Sequence, residues 1–287
     1  MSTADLAATE ETSGSLRAID RVRLAREAQR PGTLDYIGEL FTGFVELHGD
    51  RTFGDDQALI GGLAAFRGRS VMVLGHQGGS NTRENIARNF GMPRPEGFRK
   101  ARRLMRHAEK FGLPIVTFID TSGADPGISS EERGQGTAIA ESLLEMVGIR
   151  VPVVTVVIGE GGSGGALAIS LGDRLLMLEN AVYAVASPEA CAAILWKDAS
   201  FAGEAAETMR VTAADLQRFG IIDELIAEPV PAHIAPRDTV RAVGDRIEAH
   251  LAELEGAFDA NDAATIEALL DARYQKFRVI GAWHEVS

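Results

Sequence analysis

The chain has 287 residues, of which 45% are apolar and 24% charged, as in a soluble globular protein able to bury one sizeable core. Its net charge of −12 argues against a general nucleic-acid-binding protein. The single cysteine, Cys191, excludes an internal disulfide and a zinc site built from several thiolates of this chain. Because no apolar run has the length of a membrane span and the first residues lack a signal-peptide core, we expect a cytoplasmic protein.

Helical and extended patterns alternate along the chain. Residues 1–15 are small and polar, and we expect them to be disordered. Amphipathic or charged stretches predict helices over 17–30, 33–48, 99–111, 131–147 and 212–219, a helix beginning at Ser187-Pro188, and a helical region over 239–277. Apolar, β-branched runs predict strands over 58–66, 70–76, 114–120, 151–158, 175–178, 181–186 and 221–228, the first two forming a hairpin through Gly68. Alternating strands and helices predict an α/β domain.

The most informative motif follows the predicted strand over 151–158. It reads Gly-Glu-Gly-Gly-Ser-Gly-Gly-Ala over 159–166 and indicates a turn that opens a helix. Glycines let a ligand approach the main chain closely, and a helix N-terminus leaves backbone N–H groups without partners. Such donors suit an anion, including an oxyanion formed during a reaction.

The residues alone leave four interpretations of this turn open. Gly159, Gly161 and Gly164 match the dinucleotide-binding pattern G-x-G-x-x-G, with Glu179 about twenty residues further on. The segment around Ser163 also matches the nucleophile elbow G-x-S-x-G of hydrolases. The turn is equally compatible with an oxyanion hole that needs no side-chain nucleophile, or with tight strand–helix packing alone. A hairpin at the start of the domain and a glycine turn in its middle disfavour a Rossmann fold.

A second loop, over 121–127, also follows a predicted strand, so the two loops are expected to face one site.

The chain resembles the α subunits of bacterial acetyl-CoA carboxylase carboxyltransferases over roughly residues 30–228. The motifs that carry the resemblance are Gly75-His76-Gln77, Arg88-Asn89-Phe90-Gly91-Met92-Pro93, Pro95-Glu96-Gly97, Phe118-Ile119-Asp120-Thr121, Glu131-Glu132-Arg133-Gly134-Gln135, the run from Val157 to Leu167 that contains the glycine turn, Ser187-Pro188-Glu189 and Ile194-Leu195-Trp196-Lys197.

The resemblance implies a crotonase-like (ClpP/crotonase) ββα superhelix with helical N- and C-terminal extensions. We therefore expect an N-terminal extension over 1–30, a carboxyltransferase domain over 31–255 and a C-terminal helical tail over 256–287. The implied reaction moves a carboxyl group from carboxybiotin, held on a separate biotin carboxyl carrier protein, to acetyl-CoA or a related acyl-CoA. The implied partner is a zinc-containing β-type subunit in an α2β2 assembly, with no metal in this chain.

In such a site the backbone amides of Gly164 and Gly165 are expected to hold the ureido oxygen of biotin. Further predicted contacts to biotin or substrate are Gly123, Ala124, Asp125, Gly161, Gly162, Ala166 and His76. The biotin nitrogen is the expected base, and the oxyanion hole for the thioester is expected on the partner. Ser163 is then expected to serve turn geometry. The basic cluster of Arg88, Arg94, Arg99 and Lys100 is expected to lie on a solvated helix face, with contact to CoA phosphates or to an acidic partner as the alternative.

The chain departs from the family pattern at three positions. Asp125 stands where the family usually has tyrosine, Gly78 where it has lysine or arginine, and Ala190 where it has glycine. These changes leave a specialised acyl-CoA acceptor as one alternative. A stand-alone crotonase-type hydratase or isomerase, and a scaffold subunit without catalytic amides, are the others.

Overall fold

A computed structural model describes residues 16–281, so the disorder expected over 1–15 lies outside the described residues. The helices are α1 Ala18–Ala25, α2 Thr33–Leu40, α3 Thr82–Ala87, α4 Pro95–Phe111, α5 Ile128–Glu132, α6 Gln135–Gly148, α7 Ser163–Leu167, α8 Pro188–Trp196, α9 Ala202–Met209, α10 Ala213–Arg218, α11 Pro236–Gly256 and α12 Ala263–Arg278. The strands are β1 Phe41–Glu46, β2 Leu59–Phe66, β3 Arg69–His76, β4 Ile115–Thr121, β5 Val153–Gly162, β6 Arg174–Leu178, β7 Val182–Ala184 and β8 Glu224–Ile226.

Within residues 16–281 these strands form one mixed sheet. Its order is β1-β2-β3-β4-β5-β6-β8, and β7 lies beside β5. The first three strands pair antiparallel, and the later pairs are parallel. The long strand β5 pairs with β6 over Val154–Val157 and with β7 over Glu160–Gly162. This second pairing carries the end of β5 beyond the main sheet and displays the glycine turn at its edge.

Local sequence signals explain several elements directly. Arg67 and Gly68 have positive φ angles of 47° and 87° and form the two-residue turn of the predicted β2–β3 hairpin. Thr212 accepts a hydrogen bond from the Asp215 N–H at the start of α10, and Gly220, with φ 68°, follows its end. In α4 the residues expected on the inner face, Leu104, Met105 and Ala108, are fully buried in the core between helices and sheet.

The helix predicted over 33–48 is wrong in its second half. Helix α2 ends at Leu40, and Phe41 begins the edge strand β1, which pairs antiparallel with β2. The ring of Phe41 packs against Phe66, with ring centroids 5.1 Å apart. Pairing with β2 and this aromatic contact outweigh a helical periodicity that continues past Leu40, because strand formation there satisfies the open edge of the hairpin.

Other helix and strand boundaries in the structure also differ from the predicted ones. The helix predicted over 131–147 is two helices, α5 and α6, separated at Gly134, whose φ of 81° breaks the helix. The helical region predicted over 239–277 is likewise two helices, α11 and α12, and the last strand covers only Glu224–Ile226. No helix within residues 16–281 is both long and apolar enough to cross a membrane.

The solvated face predicted for the basic cluster is wrong for the two of its residues that lie in α4, Arg99 and Lys100. Lys100 is fully buried, and its Nζ donates to Asp55 Oδ1 at 2.6 Å and to the Asp56 carbonyl at 2.8 Å. Arg99 donates to Asp50 Oδ2 at 2.7 Å. The acidic partners lie about fifty residues earlier in the chain, so no helical pattern within α4 reveals them.

Candidate active site

The loops that follow β4 and β5 meet at one edge of the sheet. A Cβ added to Gly162 would lie 2.1 Å from the Ser122 carbonyl oxygen, and one added to Gly165 would lie 2.5 Å from the Ala124 nitrogen. Such distances are shorter than real Cβ contacts, so any side chain at either position would force the two loops apart. These glycines allow the loop over 122–125 to pack directly on the glycine turn.

A cavity of about 680 Å³ opens beside this junction. Small residues from both loops and from neighbouring elements line much of it, among them Gly123, Ala124, Gly136, Gly164, Ala186 and Ala190. Four charged residues also line it: Arg26, Asp125, Glu131 and Glu160. A second cavity of about 330 Å³ shares Arg26, Ser122 and Glu160 with the first.

Gly164 differs from the other glycines of the turn. A Cβ at this position would meet only the Ile139 side chain, at 3.4 Å, an ordinary van der Waals distance. The residue lines the large cavity and lies in the first turn of α7, where a backbone N–H has no acceptor within the helix. Packing within the described chain therefore does not require glycine at this position.

Five other predicted site residues lie beneath the cavity and do not line it: Gly161, Gly162, Gly165, Ala166 and His76. Gly161 is required by packing, because a Cβ there would lie 2.2 Å from the ring of Tyr183. The predicted site residues therefore form two groups, those that line the cavity and those that are buried next to it. Gly123, Ala124, Asp125 and Gly164 reach the cavity, and the rest support its floor.

His76 supports the glycine turn from below. It is fully buried; its Nε2 lies 3.2 Å from the Gly165 carbonyl oxygen, and its Nδ1 lies 3.5 Å from the Asp120 backbone nitrogen. Burial lowers the pKa of His76 to about 4, so the ring is neutral near pH 7. The proton then lies on Nε2, which donates to Gly165. Because the Gly165 carbonyl and the Ala166 N–H share one peptide group, His76 orients that peptide.

A buried carboxyl group holds the end of β5. Asp120 Oδ1 accepts a hydrogen bond from the Glu160 N–H at 3.0 Å, and a Cβ on Gly159 would lie 2.2 Å from the same oxygen. Burial raises the pKa of Asp120 to about 6. The first glycine of the apparent dinucleotide pattern is therefore explained by this carboxyl group. Glu179, the acidic residue of that pattern, accepts a hydrogen bond from the Glu228 N–H at 3.0 Å and pairs with Arg21.

Ser163 stands at the turn between β5 and α7 with a φ of 52°, and it is exposed. That backbone resembles a nucleophile elbow. No histidine among residues 16–281 is hydrogen-bonded to its hydroxyl, since His76, the histidine beneath the turn, is bonded to Gly165. The positive φ angle supports a role in turn geometry.

Asp125 is held within its own loop. Its Oδ2 accepts a hydrogen bond from Ser130 Oγ at 2.5 Å, and Oδ1 accepts one from the Gly127 N–H at 3.4 Å. Burial disfavours its charge, but these bonds and the nearby Arg94 guanidinium outweigh that effect and lower its pKa. Gln135 fastens the same loop, because its Nε2 donates to the carbonyls of Pro93 and Asp125.

Arg26 was not predicted as a site residue. It follows α1, which is fixed to the domain through Arg30: the buried Arg30 guanidinium donates to Glu228 Oε1 at 2.8 Å and to the Ile158 carbonyl at 2.9 Å. Arg26 itself donates to Glu160 at 2.7 Å and to Glu189 at 2.8 Å. These partners lie more than one hundred residues away in sequence, so no local pattern identified it.

The mixed α/β fold agrees with the predicted class, and solved chains of a transcarboxylase and of a carboxylase share it. The chain superposes on the transcarboxylase 12S core, solved with methylmalonyl-coenzyme A and methylmalonic acid bound, with a TM-score of 0.64 and 20% identity over 80% of this chain and 44% of that one. It superposes on the β subunit of geranyl-CoA carboxylase from P. aeruginosa with a TM-score of 0.59 and 18% identity over 78% of this chain and 42% of that one. The chain thus spans less than half of each solved chain, and the likeness shows the fold.

Sequence comparison identifies the family. Residues 2–281 match the acetyl co-enzyme A carboxylase carboxyltransferase-like family. The acetyl-coenzyme A carboxylase carboxyl transferase subunit alpha of Halalkalibacterium halodurans is 53% identical over 279 residues, covering 97% of this chain and 84% of the relative. The subunit of the same name from Bacillus thuringiensis is 53% identical over 272 residues, covering 95% and 82%. The chain belongs to the acetyl-CoA carboxylase carboxyltransferase family, as an α-type subunit.

Proposed function

We propose that this chain is the α-type half of a biotin-dependent carboxyltransferase that moves a carboxyl group from carboxybiotin to acetyl-CoA and forms malonyl-CoA. Family membership and the names of its relatives support the reaction class and the acceptor. The observation that carries the site assignment is Gly164, a glycine that lines the cavity and that neither packing nor a positive φ angle requires.

A cavity of about 680 Å³ that is lined largely by small residues offers room for the head group of biotin. Carboxybiotin supplies the carboxyl group and, after its loss, an anionic ureido oxygen. In this proposal the Gly164 N–H donates to such an oxygen, and the buried amides of Gly165 and Ala166 next to it are the candidates for a second donor. One donor of this kind is worth ~3–4 kcal/mol of activation free energy in a site shielded from water. His76 keeps the Gly165–Ala166 peptide in place.

The remaining half of the reaction is assigned to other chains. Biotin is carried by a separate carrier protein, and a zinc-containing β-type subunit binds most of the acyl-CoA and supplies the oxyanion hole for its thioester. We place the assembly, of α2β2 composition, in the cytoplasm. In this chain the domain over 31–255 carries the site, and the segments over 1–30 and 256–287 are extensions. Hydrogen bonds from Arg30 to Glu228 and from Arg273 to Asp173 fasten the described parts of both extensions, 16–30 and 256–281, to the domain.

The test is a transfer assay on this chain purified with its β-type partner, using carboxylated carrier and acetyl-, propionyl- or longer acyl-CoA. Gly164→Ala places a methyl group where the oxyanion would bind, at 3.4 Å from Ile139, so the fold is kept. We expect kcat to fall about 100-fold. The matched control is Gly136→Ala, in α6 on the same cavity, where a Cβ meets nothing within 4 Å.

Each outcome decides a separate point. Full activity of Gly164→Ala contradicts the oxyanion assignment, and wild-type transfer to none of the acceptors contradicts the proposed function. Transfer to propionyl- or a longer acyl-CoA in preference to acetyl-CoA identifies a specialised acceptor instead.

One observation favours a second candidate function. Glu131 and Glu160 both line the large cavity, and a crotonase-type hydratase needs a pair of carboxylates above the acyl carbons. Glu160 Oε1 accepts a hydrogen bond from Arg26 Nη2 at 2.7 Å, which directs this carboxylate toward the guanidinium and away from the acyl carbons of such a substrate. Hydration of an enoyl-CoA by the chain without its partner supports this candidate, and its absence together with carboxyl transfer by the complex rejects it.

A further inference from the structure

Arg26 occupies an unusual electrostatic position at the cavity. It is the one cationic side chain among the described residues that line it, beside three acidic ones: Asp125, Glu131 and Glu160. An anionic ligand that enters such a cavity meets mostly like charge. Burial of Arg26 opposes its charge, but hydrogen bonds and attraction from Glu160 and Glu189 outweigh that effect and raise its pKa. The guanidinium is therefore a permanent positive charge at the rim.

The hydrogen bonds of Arg26 leave part of the guanidinium available. Nε and Nη2 donate to Glu160 Oε1 at 3.1 and 2.7 Å, and Nη1 donates to Glu189 Oε1 at 2.8 Å. A longer contact of 3.4 Å joins Nη2 to Glu189 Oε2. These contacts use four of the five N–H groups that a guanidinium carries. One Nη1 hydrogen has no acceptor among residues 16–281, and the side chain is one-third exposed.

We propose that Arg26 binds the carboxylate of the carboxybiotin head group through this remaining N–H and so distinguishes the carboxylated carrier from the uncarboxylated one. The inference rests on the proposed function and adds a specificity-determining residue to it. Glu160 and Glu189 hold the guanidinium at the rim of the cavity that Gly164 lines. In this arrangement Gly164 meets the ureido oxygen and Arg26 meets the group to be transferred.

The proposal has a kinetic signature that a purely structural role lacks. The carboxylate would bear its full charge in the bound donor. When the N–C bond to biotin breaks, the electron pair would stay on the ureido group and the carbon would leave as neutral CO2. The α-carbon of the acyl-CoA would bond to that CO2 after passing its proton to the biotin nitrogen. Arg26 therefore stabilises the bound donor at least as well as the transition state, and its loss raises KM for the donor more than it lowers kcat. Uncarboxylated biotin, the acceptor of the reverse reaction from malonyl-CoA, has no such carboxylate and is unaffected.

The experiment compares variants in the complex with the β-type partner. For Arg26→Gln we expect KM for the carboxylated carrier to rise about tenfold, since a hydrogen bond to a charged group is lost, while KM for the uncarboxylated carrier in the reverse direction changes less than about twofold. The control Arg23→Gln removes an exposed arginine from the last turn of α1, the helix that Arg26 follows; Arg23 pairs with Asp20, and we expect both KM values to be unchanged.

Glu189→Gln is the decisive second variant because the two roles predict opposite signs. If Arg26 binds the carboxylate, removing the competing charge of Glu189 lowers KM for the carboxylated carrier by about twofold. If Arg26 only fastens α1 to α8, both Arg26→Gln and Glu189→Gln raise KM for the carboxylated and the uncarboxylated carrier alike. That result overturns the proposal. Should Arg26→Gln fail to assemble, Glu189→Gln carries the test.

Failure of this inference is distinguishable from failure of the proposed function. Wild-type transfer, an impaired Gly164→Ala and an unchanged KM for the carboxylated carrier in Arg26→Gln refute only the role of Arg26. Absence of transfer in the wild-type complex refutes the function on which that role rests.

Discussion

Arg273 offers a quantitative test of how the C-terminal helix α12 is held. Its side chain is completely buried and forms a two-pronged ion pair with Asp173, with Nε to Oδ1 and Nη2 to Oδ2 both at 2.8 Å. The remaining N–H groups donate to the carbonyls of Met146, Ile149 and Val151 at 2.9, 2.7 and 3.0 Å. All five donors are satisfied, so the guanidinium joins α12 to the segment that enters β5.

Arg273→Met removes this connection and leaves the Asp173 carboxylate buried, with the Val153 N–H, at 2.7 Å, as its remaining donor. Loss of one partner from a buried ion pair costs about 3–5 kcal/mol. Urea denaturation followed by circular dichroism measures the free energy of unfolding. We expect a decrease of that size, and a change of less than about 0.5 kcal/mol for Arg278→Met, an exposed position of the same helix.

The double variant Arg273→Met, Asp173→Asn completes the cycle. Because the amide keeps an acceptor for Val153 and no longer buries a charge, we expect the double variant to be more stable than the sum of the single effects by about 2 kcal/mol. A loss below about 1 kcal/mol for Arg273→Met, or strictly additive effects in the double variant, would refute the reasoning.

Two further predictions concern the site. The pKa of His76 is about 4 in the folded chain and 6.5 in the unfolded chain. Between these values the unfolded chain binds a proton that the folded chain does not, so the free energy of unfolding falls by roughly 3 kcal/mol as the pH drops from 6.5 to 4. His76→Gln should remove that slope, as urea midpoints at several pH values will show; parallel curves for the two proteins would contradict it. Asp120, whose pKa is raised to about 6, contributes the opposite slope between pH 3.8 and 6 in both proteins. Asp125→Ala should lower stability by about 1–2 kcal/mol through loss of the bonds from Ser130 and Gly127, with acceptor preference unchanged; a changed preference at full stability would instead make Asp125 a specificity residue.

Much of the fold follows from local signals. The hairpin at Gly68, the capped helix after Thr212, and the start of α8 at Pro188 with Ser187 capping it all depend on residues within a few positions of each other. Such features are predictable because their hydrogen bonds close within one turn. The α/β class follows in the same way from the order of strands and helices.

The wrong predictions have a common cause: each concerns a residue whose structural partner is distant in the sequence. The strand beginning at Phe41 forms because β2 lies beside it, and Lys100 is buried because Asp55 and the Asp56 carbonyl receive its ammonium group. Neither partner is visible in the local pattern, which indicated a helix in one case and a solvated face in the other. Tertiary pairing outweighs local propensity wherever it satisfies backbone or charged groups that are otherwise buried unpaired.

The candidate site shows the same division. The sequence by itself determined that a glycine-rich turn with free amides follows a buried strand, since apolar β-branched residues and glycines act through their own backbone preferences. Only the tertiary structure decided which of these glycines lines the cavity. Gly161 packs against Tyr183, Gly162 against Ser122 and Gly165 against Ala124, whereas Gly164 lies on the cavity wall. It also brought Arg26 from the N-terminal helix to the rim of that cavity. Both outcomes depend on which surfaces meet when distant segments pack, and a one-dimensional pattern does not contain that information.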